Sequence, residues 1–307
     1  MDRRVGFQGN LSTTAMGILP HHNLNDALRL ALSVDIPFWP QLPKLSFHED
    51  MYVQAMEYFP GVVIDEDRLY VYIDTNRFLK EITQYLELEN DPSAFVLSEK
   101  FSPVYQRFLS LDLASYIAVR GQIISPVSLT LKIVDENGKP IVYNDEMRAF
   151  VYAFIRNKLN VQYAQLRSKN TNAFVWIDDP GLEFVFNAMC GYNNVKAKEE
   201  LTDFFDSVDG PRGVHLCGRP DWDFLLSLNV EILSFNAYAF GDIFVTYDRV
   251  KGFLEKGNII SWGIVPTYFE EFLKEDTLTL AGRLESMWAT LERKGVDREL
   301  ILQNSLL

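Results

Sequence analysis

Cysteine is nearly missing from this chain: Cys190 and Cys217 are the only two in 307 residues. Two thiols make no disulfide framework of the kind small secreted domains rely on. Basic residues are outnumbered, 29 Lys and Arg against 42 Asp and Glu, for a net charge of −13. That deficit argues against nucleic acid as a partner and offers no basic surface to an anionic membrane. No apolar run reaches the roughly 18 residues of a membrane span. Met1-Asp2-Arg3-Arg4 lacks the long apolar stretch of a secretory leader, so a cytoplasmic location is expected. No Gly-x-Gly-x-x-Gly follows the first apolar segment, which removes the main support for a dinucleotide fold. Histidine is scarce as well, at four residues, and one of them stands two places before a cysteine in Val214-His215-Leu216-Cys217-Gly218.

What is present points to a large α/β domain. Apolar residues make up 48% and charged residues 23%, enough for a substantial core. Short apolar runs recur at Thr14–Pro20, Phe38–Leu42, Ile117–Ile123, Phe174–Asp178, Gly213–Cys217, Ile232–Phe235 and Ile259–Gly263, with a last strand entered within Glu299–Leu307. Between them the spacing predicts helices over Asp26–Ser33, Asp145–Ser168, Lys196–Ser207, Trp222–Leu228, Val245–Glu255 and Leu278–Lys294. Alternating βα units mean a parallel sheet, and eight of them close into a barrel. The predicted fold is therefore a (β/α)8 TIM barrel over residues 1–307, with an open doubly wound sheet as the alternative. Residues of about 44–112 read as an insertion after the second strand. It holds a helical stretch at Phe47–Tyr58, a β-hairpin within Gly61–Asp74, and helices near Asn76–Leu88 and Ser102–Leu111. A small lobe with an Asn137-Gly138 turn covers Leu129–Tyr143.

In such a barrel the working groups stand at the C-terminal ends of the strands. There the sequence sets His21 and His22, then His48-Glu49-Asp50, Gln122 with Ser125-Pro126, Asp178-Asp179-Pro180, His215 and Cys217, Asn236 and Tyr238, and Val265-Pro266-Thr267. On a strand, His215 and Cys217 point to one face. An imidazole and a thiolate so placed make half of a tetrahedral zinc site. Spacing alone equally allows a buried cysteine beside a hydrogen-bonded histidine. Asp178-Asp179-Pro180 also suits a helix cap, His21 and His22 suit a solvated loop, and Met16, Trp39 and Trp262 suit a packed barrel interior.

Taken in order, these pieces resemble the superfamily containing cobalamin-independent methionine synthase and uroporphyrinogen decarboxylase, most of all its short single-barrel core methionine-synthase-like proteins. The runs that carry the resemblance include Thr14-Ala15-Met16-Gly17-Ile18-Leu19-Pro20-His21, Pro37-Phe38-Trp39-Pro40-Gln41-Leu42-Pro43 and Glu57-Tyr58-Phe59-Pro60-Gly61. Gly121-Gln122-Ile123-Ile124-Ser125-Pro126-Val127-Ser128, Asp178-Asp179-Pro180, His215-Leu216-Cys217-Gly218 and Trp262-Gly263-Ile264-Val265-Pro266-Thr267 complete them.

The resemblance implies a zinc-dependent methyltransferase acting on a small-molecule thiol such as homocysteine. It implies zinc on His215 and Cys217, the metal favouring the substrate thiolate. Asn236 stands where the family places a glutamate ligand, and the family's last cysteine is expected beyond Leu307. Asp178 matches the aspartate that grips the amino group of homocysteine, with Glu49, His21 and Gln122 expected around the same substrate. Val265 replaces a histidine that assists folate loss in the synthases, so a methyl-corrinoid delivered by a corrinoid protein is the expected donor. A uroporphyrinogen decarboxylase-like enzyme is the alternative, with Arg3 and Arg4 as the cations available near the N-terminus. A degenerate barrel that binds a corrinoid, a corrinoid protein or a small ligand without catalysis is the third reading.

Overall fold

The computed structural model describes residues 5–186 and 190–307. Within them the strands are β1 (Val62–Asp65), β2 (Tyr70–Ile73), β3 (Arg120–Ile124), β4 (Val134–Asp135), β5 (Phe174–Asp178), β6 (Arg212–Leu216), β7 (Ile232–Phe235), β8 (Ile259–Trp262) and β9 (Ser305–Leu306). Six of them form one sheet in the order β3-β5-β6-β7-β8-β9, and every neighbouring pair is parallel. Helices join most of them, as the alternating pattern requires.

Strand residues alternate between two faces, and both faces are covered. Val175, Ile177, Val214, Leu216, Leu233, Phe235, Ile260 and Trp262 join the large core. On the other face Phe174, Trp176, Ile232, Ile259 and Leu306 gather with Ile36 and Ala118 in a second apolar cluster.

Two further segments run beside the edge strands. Ser12 bridges to Leu306, Ile18 to Gln41, and Phe38 to Arg120, each parallel. Main-chain bonds follow these bridges: Thr14 N–H to Leu307 O at 2.8 Å, Gln41 N–H to Gly17 O at 2.8 Å, and Arg120 N–H to Pro37 O at 2.9 Å. The regular strands predicted at Thr14–Pro20 and Phe38–Leu42 are thus reduced to single bridges. Pro37, Pro40 and Pro43 supply no ladder N–H, which breaks the second of them.

Other boundaries shift for local reasons. The helical stretch at Phe47–Tyr58 divides at Asp50, whose carboxylate caps the helix Met51–Ala55. A helix over Ala237–Phe244 was not anticipated, and the one predicted at Val245–Glu255 begins at Arg249. Before β9 the chain forms a helix, Arg298–Gln303, capped by Asp297. The hairpin β1–β2 is present, and β4 adds to β2, so the small lobe and the insertion share a three-stranded sheet. Among the described residues no helix is long and apolar enough to cross a membrane.

Candidate active site at the C-terminal edge of the sheet

The parallel register sets one row across the sheet near its C-terminal edge. Ile124 pairs with Asp178, Asp178 with His215, His215 with Ser234, and Ser234 with Ser261. Laterally paired residues share a face, so a carboxylate, an imidazole and two hydroxyls stand side by side. Two residues earlier on the same face lie Trp176, Ile232 and Ile259, part of the apolar floor.

His215 is buried and bonded at both ring nitrogens. Nδ1 lies 2.9 Å from Ser234 Oγ and Nε2 lies 3.3 Å from Cys217 Sγ. Burial lowers its pKa to about 3, helped by the positive charge of Arg120. The ring is therefore neutral. Burial, then the charges of Asp178 and Glu183, push the Cys217 thiol up. A thiol that keeps its proton donates S–H to Nε2, which leaves the ring proton on Nδ1, donated to Ser234 Oγ. His215 also stacks on Trp176, with centroids 5.6 Å apart and planes at 26°.

Asp178 is 3% exposed, and neither carboxylate oxygen has a hydrogen-bond partner. Burial pushes its pKa up to about 7; Arg120 opposes that shift and Asp179 adds to it. Its neighbour is treated differently. Asp179 accepts from Ser125 Oγ and Ser128 Oγ, yet burial still raises it to about 6. The Ser125 hydroxyl oxygen also caps the helix Pro126–Lys132, so Asp179 is tied into the framework while Asp178 is left without a partner.

A ladder of side-chain amides runs from this floor into the insertion. Arg120 donates to Gln122 Oε1 at 3.2 Å, Gln122 Nε2 to Gln41 Oε1 at 3.0 Å, Gln41 Nε2 to Gln54 Oε1 at 2.7 Å, and Gln54 Nε2 to Glu49 Oε2 at 2.9 Å. Arginine only donates, so Gln122 Oε1 must accept, and each amide passes the same orientation to the next. Gly17 gives the ladder room: a Cβ there would lie 1.7 Å from Gln122 Oε1.

The expected substrate residues thus separate. Asp178 is buried and unpartnered. Gln122 is buried and committed to the ladder. Glu49 is fully enclosed and accepts from Ser102 Oγ, Val104 N–H, Gln54 Nε2 and Leu42 N–H. Burial raises it to about 7 against the pull of those bonds. His21 is half-buried, with Nδ1 enclosed and unpartnered, and His22 faces solvent with Nδ1 3.1 Å from Lys44 O. Val265 is exposed, Trp39 and Trp262 are core, and Met16 packs against the floor. Arg3 and Arg4 lie outside the described residues.

Sequence reading missed Arg120, Gln41, Gln54, Ser234 and the stacking role of Trp176. One signal was available: Arg120 interrupts an apolar run two residues before Gln122, hence on the same face.

The zinc implied by the resemblance finds two donors, His215 Nε2 and Cys217 Sγ. Asn236 spends its side-chain oxygen on Ala239 N–H, at 3.0 Å, as the cap of Ala237–Phe244. Among the described residues no group of three or more His, Cys, Asp or Glu side chains is arranged to hold a metal. Two donors do not fit a resident tetrahedral zinc, which takes three or four protein ligands.

No family model matches the chain, and no curated protein matches it significantly. Among solved structures, a methyltransferase from Methanosarcina mazei matches with a TM-score of 0.53 and 11% identity, over 100% of this chain and 88% of that one. At that identity the likeness is one of fold: a mixed α/β architecture built on a parallel sheet.

Proposed function

We propose that this chain is a methyltransferase of the (β/α)8 barrel type that moves a methyl group to the sulfur of a small amino-acid thiol such as homocysteine. The observation that carries the reading is Asp178: a buried carboxylate with two unpartnered oxygens beside the His215–Cys217 pair. A carboxylate enclosed without a partner is costly, and a substrate ammonium arriving there relieves the cost. The bridges from Leu306 to Ser12, Ile18 to Gln41 and Phe38 to Arg120 support closure of the sheet into a barrel. The fold shared with a methyltransferase supports the reaction class.

In this reading Asp178 holds the ammonium and so sets the position of the thiol. His215, neutral and too weak a base to keep a proton, accepts a hydrogen bond from the substrate S–H at Nε2, and the thiol proton is released to solvent as the sulfur attacks. The sulfur forms its bond to the methyl carbon as that carbon leaves its carrier. A methyl-corrinoid brought by a partner protein is the donor proposed. A zinc ion at this point would need donors beyond His215 and Cys217, so the steps are assigned to the chain's own groups.

The test is methionine formation from methylcobalamin and homocysteine, followed by mass spectrometry, with uroporphyrinogen decarboxylation assayed in parallel. Methionine formed by the wild type and lost in Asp178→Asn supports the proposal. Decarboxylation without methyl transfer would replace it with the decarboxylase reading. Corrinoid binding without turnover would leave a ligand-binding barrel.

A further inference from the structure

We propose that Arg120 is the positioning residue of this site: its guanidinium plane, clamped between Phe38 and Trp176, sets the Trp176 ring and through it the His215 ring that faces Cys217. The guanidinium carbon lies 3.8 Å from the Trp176 ring centroid and 5.2 Å from that of Phe38. Trp176 then stacks on His215 at 5.6 Å. Four planar groups follow one another across the interior: Phe38, Arg120, Trp176, His215.

Hydrogen bonds alone do not fix the imidazole. Its partners are the Ser234 hydroxyl and the Cys217 thiol, both of which rotate. The face of Trp176 supplies the missing constraint. That ring is not tethered either, since its indole N–H has no partner. Gly213 on the adjacent strand leaves space for it, because a Cβ there would lie 2.5 Å from Trp176 Cδ1.

Arg120, by contrast, is anchored through both terminal nitrogens, although its Nε has no partner. Nη1 donates to Gly121 O and to Gln122 Oε1, and Nη2 donates to Ala15 O. Its main chain bonds to Pro37 O and Trp39 N–H. Gln122 in turn cannot swing, being the first amide of the ladder that ends on Glu49. Orientation therefore passes from the insertion, through the amides, into the guanidinium plane and on to the imidazole. Lysine would supply the charge without the plane or the forked donors.

This inference rests on reading the His215–Cys217 pair as the active site, and its test avoids turnover. The four histidine side chains of the full chain are observed by long-range 1H–15N NMR, without substrate, in wild type, Arg120→Lys and Arg120→Met. The wild type is expected to show His215 as a single Nδ1–H tautomer. In both variants the His215 signals shift toward tautomer averaging, while His48, packed edge-on against Phe101, keeps its position. Unchanged His215 signals overturn the proposal. So does full restoration by lysine, which would make charge the cause, and so does an equal shift of all four histidines, which would make the role structural. If Arg120→Met does not fold, Arg120→Lys decides alone. Absence of methyl transfer would overturn the proposed activity and leave this result standing.

Discussion

Asp178 holds a charge that the fold does not satisfy, and that has a cost readable in stability. Its folded pKa of about 7 lies above the ordinary 3.8, so the native state keeps the proton longer than the unfolded chain. The stability tied to this carboxyl is full below about pH 4 and is lost as pH rises toward 7. Asp178→Asn removes the titration. The variant is expected to gain about 1–3 kcal/mol over wild type at pH 8 and much less at pH 4, the amide's own desolvation taking part of the gain. Urea midpoints of both proteins at the two pH values measure this, and a difference independent of pH would count against the buried charge. Glu49 is shifted in the same direction but differs in having internal donors. Glu49→Ala strands donors from Gln54, Leu42, Ser102 and Val104 and should cost about 1–3 kcal/mol. An unchanged urea midpoint would mean that Glu49 is not the anchor it looks to be.

At the scale of elements, the ladder joins parts of the chain far apart in sequence: Gln122 on β3, Gln41 beside the edge, and Gln54 and Glu49 in the insertion. Gly17 is its weak point. Gly17→Ala puts a Cβ on Gln122 Oε1 and should cost about 1–3 kcal/mol by forcing that amide aside. A melting temperature equal to wild type would show that the ladder has slack. The strands β3 and β5 to β8 were legible because a parallel strand buried on both faces is a short apolar run between helices. The segments near residues 15 and 39 were legible as apolar runs but not as mere bridges, since proline interruption depends on which N–H the ladder needs. The pair His215 and Cys217 was found from spacing. The enclosure of Glu49 was not, because a glutamate after a strand reads the same whether it meets substrate or four internal donors. Gln41 and Gln54 carry no signal of their own; only the fold brings them into line.

At the scale of the molecule, a chain of net charge −13 carries a cation, Arg120, under its candidate site. Burial pulls that guanidinium down to about 9, and Asp178 pulls it back up. The site thus offers a carboxylate that lacks a direct partner above an arginine already committed to amides and aromatic faces. That arrangement receives an ammonium group better than it receives an anion. The most direct measurement is calorimetric titration of wild type and Asp178→Asn with homocysteine and with 4-mercaptobutyrate, which lacks the amino group. The account predicts that wild type binds homocysteine about 10–100-fold more tightly than the analogue and that Asp178→Asn loses the difference. Equal affinity for the two thiols in wild type, or a preference that survives the substitution, would contradict it.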